Sequence, residues 1–266
     1  MADLKLLQAG ASELDLHLTR EQLSAFSLYM NELLRWNQRA NLTAIVAPEE
    51  IQTKHFLDSL TCLLGFPRLA AGGGEGAASG DLAERLNRGA GLSCIDVGSG
   101  AGFPGLPLKI CLPEMKLTLI ESIGKKTAFL SHMVGMLKLE NAGVFTTRAE
   151  DLARVPGERE KYDVVVARAV SRLAVLAELC LPFCRVGGRV IAPKKGDVTE
   201  EIEEGRYAVE LMGGSYREPV PVRLSLLEEG RSLVIVEKVS PTPHQFPRRA
   251  GMPTKRPLTA SSGLRE

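Results

Sequence analysis

The apolar positions of the first 64 residues recur at helical spacing. Leu23, Phe26, Met30, Leu33 and Leu34 fall on one face of a segment running to Trp36, and Thr19 with Gln22 three residues on forms a capping box at its start. This pattern predicts a helix over 20–38. Pro48 suits a first helical position and Glu49 and Glu50 suit the positive helix end. With Phe56, Leu60, Leu63 and Leu64 as an apolar face, they predict a second helix over 48–64. From Gly65 to Gly91 the periodicity dissolves into Gly, Ala and Ser. Residues 65–92 are therefore expected to be a mobile insertion carrying one short helix over 82–87, capped by Asp81 with Glu84 and stopped by Gly89.

Beyond Ser93 short β-branched runs alternate with helical patterns, the signature of an α/β fold whose parallel sheet is covered on both faces. Strands are predicted over 93–97, 116–120, 143–147, 162–167 and 189–192, with helices over 105–111, 125–139, 149–154, 173–184 and 198–212. Two more strand-like runs, 218–224 and 232–239, are separated by seven residues. That gap is too short for a crossover helix, so the pair is predicted to be an antiparallel hairpin. The domain organisation expected is a helical cap over 1–64, the insertion, an α/β domain over 93–240 and a basic, Pro-rich tail over 241–266.

Composition adds constraints. The 266 residues are enough for one or two domains, and 33 Lys plus Arg against 32 Asp plus Glu leave a net charge of +1, which excludes a wholly cationic nucleic-acid binder. No run approaches the roughly 18 apolar residues of a membrane span, and Asp3 and Lys5 interrupt the start where a secretion signal would be apolar. A cytosolic protein is expected. The five cysteines include no C-x-x-C; Cys180 and Cys184, at i and i+4, are expected on one helix face as core thiols and no metal site is expected. Charge is uneven, however: residues 241–266 hold five basic residues, Arg248 and Arg249 among them, against Glu266 alone. The tail is thus a candidate phosphate contact.

The chemistry centres on the first strand of the sheet. Cys94-Ile95-Asp96-Val97 runs into Gly98-Ser99-Gly100-Ala101-Gly102-Phe103-Pro104 and then a helix, a loop whose glycines allow sharp turns and close ligand approach. It is read as a nucleotide-type cofactor loop, the alternative being a purely structural turn. A dinucleotide fingerprint needs glycine where Phe103 stands, which argues against an NAD(P) oxidoreductase. Glu121 ends the second strand, where a carboxylate can accept both hydroxyls of a cofactor ribose; alone it is equally a solvated strand end. Arg168 follows Val164, Val165 and Val166 at a strand end where an unpaired charge is costly to bury. Arg172, Lys194 and Lys195 project from neighbouring strand ends or loops, and Arg231 begins the last strand.

Glycine loop, acid after the second strand and terminal hairpin together resemble the Rossmann-like, seven-stranded S-adenosylmethionine-dependent methyltransferases. More closely, the chain resembles the ribosomal RNA small-subunit methyltransferase G family, also called glucose-inhibited division protein B. The resemblance is carried over residues 15–257 by Trp36-Asn37 with Asn41-Leu42-Thr43, Lys54-His55-Phe56-Leu57-Asp58-Ser59-Leu60, the 96–105 loop, Arg148-Ala149-Glu150, Arg168-Ala169-Val170 and Lys194-Lys195-Gly196. The Gly65 to Gly91 stretch departs from it, being longer and richer in glycine than the family's usual connection.

The resemblance implies transfer of a methyl group from S-adenosylmethionine, yielding S-adenosylhomocysteine, to N7 of one guanine in the decoding-site loop of 16S ribosomal RNA. It implies that Gly98 and Phe103 contact the cofactor, beside the candidates Gly100 and Glu121 of the loop and strand end, that Ala149 and Glu150 flank its adenine, and that Arg168 lies at the mouth between cofactor and substrate. Ala149 and Glu150 could also simply begin a helix. Asn41, His55, Arg148, Arg231, Arg248 and Arg249 are candidate substrate contacts, although His55 with Asp58 at i+3 could equally be a surface pair. No residue is expected to act as acid or base, because N7 carries a lone pair and no hydrogen; Arg168, Lys195 and His55 are the positioning candidates. The partner expected is 16S ribosomal RNA, naked or in the small subunit, bound by a monomer, with neither DNA nor membrane as a partner. The rival from another class is a catalytically silent RNA-binding or assembly protein.

Overall fold

In a computed structural model that describes residues 3–67, 82, 91–168, 171–227 and 230–260, the chain folds as a mostly parallel sheet flanked by helices. Most of the expected insertion, at 68–81 and 83–90, lies outside these residues, as does nearly all of its short helix.

The amino-terminal segment is helical. Helix α1 (Lys5–Glu13) buries Leu7 and Ala11, and the Leu7 N–H, one of the donors a helix start leaves unpaired, is met by Gln52 Oε1 at 3.2 Å. Helix α2 (Arg20–Ala40) begins at the expected capping box: Thr19 N–H donates to Gln22 Oε1 and Gln22 N–H to Thr19 Oγ1, at 2.9 and 3.2 Å. Its buried face carries Phe26, Tyr29, Met30 and Leu33. The second expected helix, α3, runs over residues 48–65, but its winding changes along its length. Pro48–Glu50 and Asp58–Leu60 are α-helical, Ile51–Leu57 is a π-helix and Thr61–Gly65 is 3-10. These helices share one apolar cluster with Val164, Ile191 and Leu233 of the sheet, so the cap and that face of the sheet have a common core.

The sheet has the order β3-β2-β1-β4-β5-β8-β6, with β7 also pairing β8. Strands β1 (Ser93–Val97), β2 (Lys116–Glu121), β3 (Ala142–Thr146), β4 (Tyr162–Val166) and β5 (Cys184–Lys195) pair in parallel. Strand β8 (Arg231–Lys238) enters antiparallel beside β5. The expected hairpin is present, β7 (Val220–Val222) pairing antiparallel with β8 at Arg231 to Leu233. An unforeseen strand β6 (Gly214–Tyr216) pairs with the other end of β8. The sixth strand expected in chain order, over 218–224, is thus represented by two short pieces separated by Arg217, Glu218 and Pro219, a place where an edge strand tolerates proline.

The helices covering the sheet are α4 (Gly105–Cys111), α5 (Gly124–Met136), α6 (Ala149–Leu152), α7 (Leu173–Cys180) and α8 (Thr199–Leu211). Helix α7 stops four residues short of the expected end because Pro182 cannot continue it. Cys180 and Cys184 therefore do not share a helix face: one ends α7, the other opens β5, and both are buried free thiols. The carboxyl-terminal segment lies against the domain and ends in a short helix, α9 (Met252–Lys255). Arg159 Nη2 donates to the Thr242 carbonyl, and Arg248 chelates the buried Glu178 carboxylate at 2.6 to 3.1 Å.

Candidate active site

Between β1 and β4 the chain order reverses, which opens a crevice at the carboxyl ends of the strands. The glycine loop sits there. The Gly98 and Ser99 N–H groups both donate to the Ile120 carbonyl at 2.9 Å, and Gly98 and Gly100 hold φ of 73° and 59°, a region that disfavours side chains. Gly102 is required for another reason: a Cβ there would stand 2.7 Å from Tyr29 Oη and 2.5 Å from Leu106 Cδ1. Tyr29 reaches from α2 to donate to the Ala101 carbonyl at 2.6 Å, so the helical cap fixes the far side of the loop.

Two acids flank the loop. Glu121, at the end of β2, is buried and accepts the Gly100 N–H at 3.2 Å and the Ile123 N–H at 2.9 Å. Asp96, on β1, is fully buried; its Oδ2 accepts the Gly105 N–H at 2.9 Å while Oδ1 has no partner among the described residues. Burial pushes its pKa up to about 7, against the opposing pull of the Gly105 N–H, the Arg168 charge and the Ser99 hydroxyl. A glycine cradle with an open side at Gly100, a strand-end carboxylate and an unpartnered buried oxygen fit a nucleoside-type cofactor with a polar tail.

Phe103 carries the loop into a second set of groups. Its ring stacks on His55 at a centroid distance of 4.4 Å and on Tyr29 at 5.3 Å, with the Arg168 guanidinium 5.1 Å from its centroid. Arg168 donates to the Lys54 carbonyl and to Asp58 Oδ2, each at 2.9 Å, and lies 3.2 Å from His55 Nδ1. A guanidinium can only donate, so Nδ1 is the acceptor and Nε2 carries the proton, directed at Thr43 Oγ1 at 2.8 Å. Burial first and the Arg168 charge second lower the His55 pKa to about 4, leaving the ring neutral. His55 is thus a buried part of the site and not one of a surface pair.

His55, Asp58 and Arg168 border a cavity of about 400 Å³ whose other walls include Lys54, Pro193, Lys194, Lys195 and Arg231. Lys194 is held by Glu201 at 2.6 Å and the Ser171 carbonyl at 2.9 Å, and Arg231 donates Nε to Asp58 Oδ1 at 2.8 Å. The expected candidates therefore divide. Gly98, Gly100, Phe103, Glu121, His55, Arg168, Lys195 and Arg231 converge on the crevice and the cavity. Ala149 and Glu150 open α6 after β3, close to Glu121, whose carbonyl accepts the Thr147 N–H at 3.1 Å; Glu150 itself accepts the Gly251 N–H at 2.8 Å and so helps fasten the tail. Exposed Arg148 caps the start of α6 and exposed Asn41 ends α2 with φ 46°. Arg248 departs from expectation: its guanidinium is spent on Glu178 and the Arg256 carbonyl, which makes it a fastener of the tail, whereas Arg249 is exposed.

Three side chains of the site had no role in the sequence reading. Asp96 lay within the quoted loop pattern and Asp58 one helical turn from His55, but Tyr29 carried only a helical apolar signal. What each does depends on partners 9 to 173 residues away.

The family model described as rRNA small subunit methyltransferase G (GidB) matches residues 22–71 and 80–221. A protein of Roseiflexus sp. (strain RS-1) named Ribosomal RNA small subunit methyltransferase G is 48% identical over 243 residues, covering 91% of this chain and 94% of its own. A protein of the same name from Dehalococcoides mccartyi (strain CBDB1) is 47% identical over 249 residues, covering 94% and 97%. The solved structure of MtNAS in complex with MTA and tNA aligns with a TM-score of 0.50 at 12% identity, over 82% of this chain and 74% of that one, a likeness of fold alone.

Proposed function

The chain belongs to the ribosomal RNA small subunit methyltransferase G family, and from that premise we propose that it methylates N7 of one guanine in the decoding-site loop of 16S ribosomal RNA, using S-adenosylmethionine. Methylation of small-subunit ribosomal RNA is the activity its relatives are named for; the choice of N7 is the finer claim. The observation that supports it is the state of the two potential proton acceptors in the cavity wall. His55 Nδ1 is occupied by Arg168, and the Asp58 carboxylate is shared between Arg168 and Arg231. Methylation of an exocyclic amine calls for a group to take up a proton, whereas guanine N7 attacks through an in-plane lone pair with no hydrogen to lose.

When bound, S-adenosylmethionine supplies the electrophilic methyl group. Gly98, Gly100 and Phe103 would hold it against the loop, Glu121 would accept from its ribose and Ala149 with the backbone of Glu150 would border its adenine. The chain's own contribution is then placement. Arg168, stacked on Phe103 and open to the cavity, stands where cofactor loop and substrate meet, and a fixed cation there orients RNA without reorganising during the reaction. His55, neutral, stacked on Phe103 and accepting from Arg168 at its Nδ1, holds the guanidinium in place. Lys195, Arg231, Asn41, Arg148 and Arg249 are the proposed RNA contacts.

The test is methyl transfer from labelled cofactor into small-subunit particles and into deproteinised 16S ribosomal RNA, followed by mapping of the modified base through the cleavage sensitivity of N7-methylguanine. Label at a single cleavable guanine of the decoding-site loop is expected. Label on another atom or at another position would overturn the proposal.

A further inference from the structure

Asp58 stands between two guanidinium groups, Oδ2 accepting from Arg168 and Oδ1 from Arg231. The three side chains are 7 to 14% exposed and come from places far apart in the chain: α3, the end of β4 and the start of β8. Two cations this close and this poorly hydrated repel unless an anion lies between them. An uncharged amide could not replace the carboxylate, because one of its two heads is a donor and would face a guanidinium.

The winding of α3 completes the arrangement. In an α-helix the Asp58 N–H would bond the Lys54 carbonyl; at the end of the π-helical Ile51–Leu57 it bonds the carbonyls of Thr53 and His55. The Lys54 carbonyl accepts from Arg168 Nη1 instead, at 2.9 Å. One wide turn thus presents a carbonyl, an imidazole nitrogen and a carboxylate to a single guanidinium.

We propose that Asp58 is a positioning residue for methyl transfer, holding Arg168 and Arg231 together in one wall of the cavity while touching neither cofactor nor RNA. This rests on the reading that the Arg168 cavity receives the target base. Removing the carboxylate leaves two unscreened cations, which attract phosphate at least as strongly as before but are no longer fixed; placement is lost, not attraction. In Asp58→Asn, kcat per S-adenosylhomocysteine-binding site is therefore expected to fall about 10 to 100-fold, the scale of a misplacement of about 1 Å. KM for RNA stays within about 3-fold and S-adenosylhomocysteine affinity within about 2-fold, a split that loss of folded protein would not produce. The double variant Asp58→Asn with Arg231→Met is expected to lose less than the product of the two single losses, since Asp58 acts partly through Arg231. Should Asp58→Asn fail to bind S-adenosylhomocysteine, Asp58→Glu carries the test: it keeps the charge but lengthens the reach by one methylene, so kcat again falls at unchanged cofactor affinity. Wild-type kcat in the folded variant, or full multiplication of the two losses in the double variant, overturns the proposal. Failure of the wild-type chain itself to methylate ribosomal RNA would overturn the underlying reading instead.

Discussion

The unpartnered oxygen of Asp96 has a cost that depends on pH. An aspartate in the unfolded chain ionises near 3.8, whereas in the fold burial raises the value to about 7. Between these values the native state holds a proton that the unfolded state has released, so the stability it confers is complete below 3.8 and is lost as pH rises through 7. The separation corresponds to about 4 kcal/mol by pH 8, of which about 3 kcal/mol falls between pH 5 and pH 8. Asp96→Asn cannot ionise. Whatever constant offset its amide brings, the stability of the variant relative to wild type should rise by about 3 kcal/mol from pH 5 to pH 8. Urea unfolding without cofactor, followed by the fluorescence of Trp36, the single tryptophan, measures both proteins at both pH values. A gap that stays constant within about 0.5 kcal/mol between the two pH values would refute the reasoning, because that carboxyl would then ionise alike in both states.

Three further outcomes follow from the site. The His55 ring should titrate near 4 by NMR, and because an unfolded histidine ionises near 6.5 the native state should lose stability as pH falls from 6.5 toward 4; a ring titrating near 6.5 contradicts its burial against Arg168. Arg248→Ala strands the Glu178 carboxylate and should lower stability by about 3 kcal/mol, whereas Arg249→Ala should change it by less than about 0.5 kcal/mol and reduce the salt dependence of RNA binding by about one ion; equal behaviour of the two in chemical unfolding would contradict the split. Tyr29→Phe removes the bond to the Ala101 carbonyl and should cost about 1 kcal/mol while weakening S-adenosylhomocysteine binding, as calorimetry would read; unchanged affinity would show that the loop holds its shape without the cap.

Much of the sheet was legible because its signals are local. Ser93–Val97 and Gly105–Cys111 fall where the apolar runs and the glycine loop predict them, and the hairpin follows from a gap too short for a helix. Elements whose reasons are not local were missed. The three-residue strand Gly214–Tyr216 has no periodicity to detect and exists because half of β8 needs a partner. Lys238 belongs to a residue type seldom buried, yet its amine is buried, donating to the carbonyls of Leu181 and Met212 at 3.1 and 2.9 Å and standing 3.3 Å from Glu160. The π-turn of α3 was likewise hidden, since its apolar face fits a helix of either winding.

Charge makes the same point at the site. Read as composition, residues 241–266 are a cationic tail, and Arg248 and Arg249 are equivalent. In the fold, Arg248 closes on Glu178 while Arg154 and Arg159 reach out of the body to hold the carbonyls of Pro247 and Phe246, so arginine serves to dock the tail as well as to meet solvent. Apart from Lys54 of α3, the cations that line the cavity come from the ends of β4, β5 and β8, carried by strands whose order the sheet topology fixes. Their anchor is the helical cap, which supplies Tyr29 to the loop and Lys54, His55 and Asp58 to Arg168. Phe103 lies between these contacts, stacked on Tyr29 and His55 at once, so the glycine loop and the Arg168 guanidinium are packed as one body. A change that loosens the cap should therefore weaken cofactor binding and displace Arg168 together, whereas one confined to the docked tail should do neither.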